Sequence, residues 1–258
     1  MNSPILFSTD LSVGYQTKND VICVAKNINL KLEKGSLIAL VGANGIGKST
    51  LLRTLAGLQK PLAGSVYIHE KDVQTIDAAT LSKNLSLVLT EKLPPSNLTV
   101  FEIVALGRQP YTDWLGKMTF QDELIVQQAL KITEIEDLQA KKHFEVSDGQ
   151  LQQVLISRAF AQDTELIILD EPTTHLDLVN RFSIFKLLKK LSAENQKCIL
   201  FSTHEIDLAL QIADEIIIFT EDFVLQDKPE NLIKNGTLNQ IFKDKAIYFD
   251  AAKGSFVI

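Results

Sequence analysis

The stretch Gly42-Ala43-Asn44-Gly45-Ile46-Gly47-Lys48-Ser49 constrains this chain more than any other, because it has the form G-x-x-x-x-G-K-S. Glycines at that spacing let consecutive backbone N–H groups turn inward around an anion, and a helix that begins at the lysine adds its positive dipole end. Lys48 brings a mobile charge, and the Ser49 hydroxyl can hold Mg²⁺. Residues Gly42 to Ser49 are therefore read as a cradle for the β- and γ-phosphates of a nucleotide. The surroundings agree. Ser36 to Val41 is a short apolar run ending at the loop, and Ser49 to Leu58 has helical composition, so the order is strand, loop, helix.

The rest of the chain reads as an α/β protein. Residues 4–9 and 21–33 alternate apolar and polar side chains as strands do, and 64–90 hold further short strands around polar turns. From Thr99 to Leu138 the pattern turns helical, with Val100, Ile103, Val104 and Leu106 at helix spacing. Pro94-Pro95 and the Gly107 to Gly116 region break that stretch. Glu123 to Ile132 and Gln150 to Ala161 also read as helices. From Glu165 onward strands and helices alternate, which implies a mostly parallel sheet with helices on its faces. A hairpin turning at Glu221-Asp222, a small helical piece and a closing pair of strands over 246–258 complete the expectation.

A net charge of −6 argues against a nucleic-acid surface, which carries a basic footprint. Cys23 and Cys198 lie far apart without metal-type spacing, which suits a reduced, cytosolic setting. No signal peptide is expected at the start, and no apolar run reaches the ~20 residues a membrane helix needs. A role at a membrane would require a partner that spans it.

Leu166 to Leu169 is a buried-type strand ending in Asp170-Glu171. Asp170, at the strand's carboxyl end, is suited to the shell of a phosphate-bound Mg²⁺, and Glu171, one residue on, to orienting an attacking water. His204 follows the apolar strand Cys198 to Thr203 and could sit beside a γ-phosphate or serve structurally. Tyr15, after an N-terminal strand, could stack on adenine or simply pack against the surface.

Val146-Ser147-Asp148-Gly149-Gln150 resembles the signature sequence of ABC ATPases, written LSGGQ, and Gln150 lies 20 residues before Asp170. The resemblance covers nearly the whole chain in the family's order: Tyr15, the Gly42–Ser49 loop, Ser147–Gln150, Glu171, Thr174-His175-Leu176-Asp177, then His204. It implies a P-loop NTPase (RecA-like) core with an antiparallel β portion over about 1–93 and 161–258, and a helical lobe over about 94–160. It also implies ATP and Mg²⁺ as ligands and a homodimer paired head to tail. Each ATP would lie between the Gly42–Thr50 loop of one subunit and Ser147, Gly149 and Gln150 of the other. Asp177 would lie along the dimer seam, Lys48 on the phosphates, Ser49 and Asp170 at the metal, Glu171 against the water and His204 on the γ-phosphate.

The sequence departs from the family pattern twice. Asp148 stands where a glycine is usual, and its side chain is expected to point away from the phosphates. The loop that usually carries a metal-touching glutamine should lie near Leu87 to Lys92, where Thr90 or Glu91 takes its place; Glu91 is the expected ligand, as a carboxylate can hold Mg²⁺. The stretch Ala105 to Tyr111, with Trp114 and Gly116, is similar to importers of ferric siderophores, haem and cobalamin. That resemblance implies integral-membrane permease partners, a periplasmic substrate-binding protein, and a peripheral location on the cytoplasmic face of the inner membrane. Tyr111 and Trp114 would either pack the helical lobe's own core or meet the permease. The competing expectation is a soluble ABC ATPase acting on ribosome or nucleic acid; such proteins usually carry two ATPase halves, a coiled coil or a zinc insertion, none of which is visible here.

Overall fold

The computed structural model describes residues 3–17, 20–90, 96–241, 248–251 and 253–257. In chain order, β1 (Leu6–Gln16), β2 (Val21–Ile28), β3 (Lys31–Leu32) and β4 (Leu37–Val41) lead to α1 (Lys48–Leu55). β5 (Ala63–Ile68), β6 (Lys71–Asp72), α2 (Ala78–Leu81) and β7 (Leu85–Val88) follow. Next come α3 (Val100–Ala105), α4 (Phe120–Ile132) and α5 (Asp148–Ala161), then β8 (Leu166–Leu169), α6 (Leu178–Asn195), β9 (Cys198–Thr203), α7 (Ile206–Ile212) and β10 (Glu215–Phe219). The end holds β11 (Val224–Asp227), α8 (Pro229–Lys234), β12 (Tyr248–Asp250) and β13 (Ser255–Val257).

The apolar runs form one sheet in the order β11-β10-β4-β9-β8-β7, parallel throughout except for β11. Every residue of β4 is fully buried, because the pleat sends alternate side chains to opposite sides and both sides are covered. Leu37, Ala39 and Val41 enter a cluster with Phe185, Leu188 and Leu191 of α6. Ile38 and Leu40 enter another with Leu51, Leu52 and Leu55 of α1 and with Leu6, Leu11 and Val13 of β1. The alternating strands at the start of the chain make the antiparallel sheet β2-β1-β5-β6, with β3 on β1, that covers this second side. As a result the carboxyl ends of β4, β8 and β9 open at one edge, where a ligand crevice belongs in such a sheet.

A third cluster joins Val100, Ile103 and Val104 of α3, Val126, Ala129 and Leu130 of α4, and Val154 and Ala161 of α5. All three helices start at capping boxes: Thr99 with Glu102, Thr119 with Asp122, and Ser147 with Gln150. Each box satisfies two backbone donors at its helix start. Between α3 and α4 the Arg108 guanidinium is buried. Its Nε donates to Asp122 Oδ1 (2.9 Å) and an Nη to the Ala161 carbonyl (2.9 Å), and the group stacks 4.0 Å from the Tyr111 ring. The two aromatics of this stretch therefore divide. Tyr111 packs on Arg108, whereas Trp114 is 91% exposed.

Hydrogen bonds from Thr119, aided by Arg108, hold the Asp122 carboxyl below its ordinary value of 3.8, with burial opposing them. A depressed folded-state pKa contributes stability above the unfolded value and loses it as pH falls through the folded one. Asp122→Asn is expected to cost about 3 kcal/mol at neutral pH, because it strands a buried guanidinium. Melting temperatures followed below pH 4 should then fall less steeply than in the native protein.

Candidate functional site

The loop after β4 is shaped by its glycines. Gly47 caps α1 at φ 116°, a conformation that favours glycine, and a Cβ there would lie 2.2 Å from Val24 Cγ1 of β2, so any other residue would also have to displace that side chain. No side chain caps α1, which leaves the backbone N–H groups of its first turn directed into the loop. Ala43, Asn44, Gly45 and Ser49 are exposed, Ile46 is half-buried, and Gly42 and Thr50 are buried. Lys48 is buried at 5% exposure. Its Nζ donates to the carbonyls of Gly42 (3.0 Å) and Ala43 (3.2 Å) and lies 3.6 Å from Glu171 Oε1. The Tyr15 hydroxyl shares a 2.5 Å hydrogen bond with Thr50 Oγ1 while half of the residue stays exposed. An aromatic surface thus stands open beside the loop.

The two acids after β8 diverge. Asp170 turns inward, where its Oδ1 accepts from Ser202 Oγ (2.7 Å). Glu171 takes a left-handed φ of 47°, a strained conformation for a carboxylate residue and one that sends its side chain back over the strand ends. Its backbone N–H donates to the same Ser202 Oγ (2.8 Å), and its Oε2 accepts from Thr174 Oγ1 (2.9 Å). His204 Nδ1 lies 3.9 Å from that Oε2. Lys48, Asp170, Glu171 and His204 are thereby brought together from β4, β8 and β9. A water held between Glu171 and His204 would have an acceptor and a second polar contact.

The signature residues lie elsewhere. Ser147 and Gln150 bond each other as the cap of α5, at 3.0 and 3.3 Å. A Cβ on Gly149 would fall 2.6 Å from Asn180 Cγ. Asn180 is itself held by Asp177, whose carboxylate accepts from its backbone N–H (2.8 Å) and side-chain amide (2.9 Å). Ser147 and Asp177 are exposed, and among the described residues no hydrogen bond or ion pair joins the signature to the 42–50 loop. Asp148 is exposed at the first position of α5. It borders a cavity of about 130 Å³ with Thr90, Gln152, Asp170 and Glu171. Thr90 Oγ1 donates to the Asp170 carbonyl (3.1 Å), and Glu91 lies outside the described residues.

The sequence matches the ABC transporter family over residues 25–174. The chain belongs to the ABC transporter family. It is 38% identical, over 98% of its length and 86% of the relative's, to an uncharacterised ABC transporter ATP-binding protein of Methanocaldococcus jannaschii. Identity is 34% to the achromobactin transport ATP-binding protein CbrD of Dickeya dadantii, over 91% of this chain and 86% of that protein. It is 33% to the iron(3+)-hydroxamate import ATP-binding protein FhuC of Bacillus subtilis, over 88% and 82%. Among solved structures, a chain of a transporter described as metal-chelate type, in an inward-facing conformation, superposes with a TM-score of 0.81 at 27% identity, covering 99% of this chain and 96% of that one. A dimeric ATP-binding cassette in a post-hydrolysis state with ADP and Pi gives 0.74 at 30% identity, covering 87% and 98%. This ABC subunit binds and hydrolyses ATP.

In this ABC protein one supporting residue escapes sequence reasoning, Ser202, while Thr174 is legible only as part of the 174–177 stretch, with no role of its own. Ser202 carries its hydroxyl near the end of an otherwise apolar strand, and nothing local says which carboxylate it meets, whereas Thr174 meets Glu171 three residues before it in the same turn. Ser202 touches Asp170 and the backbone of Glu171 at once, so Ser202→Ala should lower kcat for ATP about 100-fold through misplacement of both acids. ATP affinity should change little; titration with a fluorescent ATP analogue beside steady-state ATPase assays checks the split.

Proposed function

We propose that this subunit powers a membrane importer of metal chelates of the ferric-siderophore class, acting as a head-to-tail homodimer on integral-membrane permease subunits. The observation that carries the reading is the surface around Trp114. Its indole stands almost fully exposed beside a groove of about 750 Å³, and the neighbouring Leu115 is 68% exposed. Leu106, Gly107 and Pro110, with Ala78 and Ala79 of α2, are among the residues that line the groove. Large aromatics exposed at the rim of a groove serve as anchors for a protein partner. The import functions named for the achromobactin and hydroxamate relatives support the same substrate class. Among the described residues no helix is long and apolar enough to cross a membrane, which suits a subunit that reaches the bilayer through its permease, at the cytoplasmic face of the inner membrane. A periplasmic binding protein would deliver the chelate. The division into a RecA-like and β lobe over about 1–93 and 161–258 and a helical lobe over about 94–160 belongs to the same reading. The separate apolar cluster of α3, α4 and α5 supports it.

In the site, Tyr15 would stack on adenine and residues Gly42 to Thr50 would hold the phosphates, with Lys48 drawn toward them. Ser49 and Asp170 offer a hydroxyl and a carboxylate, hard oxygen donors that fit Mg²⁺. The ion would neutralise charge on the phosphate oxygens. Glu171, oriented by Thr174, holds the attacking water and takes up its proton, while His204 contacts the γ-phosphate. Ser147, Gly149 and Gln150 complete the site of the partner subunit, and Asp177 lies on the seam between them.

Two experiments test the proposal. Glu171→Gln should trap ATP and elute as a dimer from a sizing column in Mg-ATP; a monomer under all nucleotide conditions rejects the head-to-tail arrangement. Trp114→Ala should keep the ATPase of the isolated subunit but lose a permease recovered by pull-down from detergent-solubilised membranes. Recovery of ribosomal proteins with no permease would favour a soluble ABC ATPase instead.

A further inference from the structure

Glu205, the residue after His204, is a buried carboxylate with no place in the chemistry above. Its side chain is 11% exposed, both oxygens are shielded, and among the described residues no donor makes a well-aligned hydrogen bond to either. A buried carboxylate needs a cation, and the one within ion-pair distance among the described residues is Arg181 of α6, with Nη1 3.1 Å from Oε1. The same guanidinium donates from Nε to the Leu176 carbonyl at 2.7 Å. A cavity of about 380 Å³ opens onto Arg181, His204 and Glu205 together.

The two ends of this contact matter because of what they adjoin. Leu176 lies between Thr174, which donates to Glu171 Oε2, and Asp177. Glu205 adjoins His204, which lies 3.9 Å from the same Oε2. Both groups that flank Glu171 therefore sit on turns gripped by one side chain. The fork of guanidinium donors lets it meet a carbonyl and a carboxylate at once, which a lysine ammonium on a single stem does poorly.

We propose that Arg181 is a positioning residue for ATP hydrolysis. It ties the Thr174–Asp177 turn to Glu205, and through Glu205 it sets His204 against Glu171. A shift of Asp177 at the dimer seam is thereby passed to His204 of the same subunit, a consequence that rests on the head-to-tail reading.

The test compares Arg181→Gln, Arg181→Lys, Glu205→Gln and the double Gln variant by steady-state ATPase, nucleotide titration and thermal melting. Arg181→Gln should lower kcat about 30-fold while KM for ATP stays within about twofold, since the contact is made away from the phosphate loop. Arg181→Lys should recover little of the loss. Glu205→Gln, an isosteric change that carries the test should Arg181→Gln fail to fold, should lower kcat comparably. The double variant should be no worse than Arg181→Gln alone, as for two ends of one contact. Native kcat in Arg181→Gln and Glu205→Gln overturns the proposal. So does a loss in which kcat, ATP affinity and melting temperature fall together, because that marks a purely structural pair. A Glu171→Gln protein that stays monomeric in Mg-ATP removes the route from the seam, while the kcat split still decides whether Arg181 positions His204.

Discussion

Burying the Lys48 ammonium carries a desolvation cost that only hydrogen bonds and an opposite charge offset, and the site is arranged around meeting that cost. The carbonyls of Gly42 and Ala43 take two of its donors, and Glu171 faces it at 3.6 Å. The loop from β4 and the acid from β8 are therefore held together by one cation. Because β9 lies between those strands, Ser202 can reach both Asp170 and the backbone of Glu171, and His204 follows at the same edge. An anion that competes for the ammonium takes a partner from the carbonyls and from Glu171, so anion binding at Lys48 and the placement of Glu171 are electrostatically linked.

That arrangement needs a rigid floor, and the doubly covered sheet provides it. Ile38 and Leu40 face one apolar cluster while Leu37, Ala39 and Val41 face another, so β4 cannot slip by one residue without exchanging its two sets of neighbours. The strain at Glu171, with its positive φ, is sustained by hydrogen bonds at both its backbone and its carboxylate. The helical segment is built differently. Capping boxes start its helices, and the buried Arg108–Asp122 pair pins the turn before α4, so it keeps a core of its own beside the sheet.

Much of the fold was legible along the chain. The runs at Leu37–Val41, Leu166–Leu169 and Cys198–Thr203 read as buried strands because both their faces are apolar, and the strand–loop–helix order around Gly42–Ser49 appears in the structure. The glycine loop, Asp170 and Glu171 were visible because their chemistry depends on neighbours within a few residues. Tyr111 and Trp114 could not be separated that way. Both are aromatics in a glycine-bounded loop, and only the position of Arg108 makes one a packing residue and leaves the other exposed.

What the sequence by itself determined was the local chemistry: a glycine loop able to turn its N–H groups inward, a lysine at the start of a helix, two acids at a strand end, and serine or threonine where helices begin. What only the tertiary structure decided was which groups meet. Ser202 on the acids, His204 beside Glu171, and Arg181 against Glu205 all join positions from different strands and helices. Their distances follow from strand order and helix packing rather than from spacing along the chain. The physical reason is that a side chain's reach is a few ångströms, whereas the segments it connects here are brought within that reach only after the parallel sheet has closed.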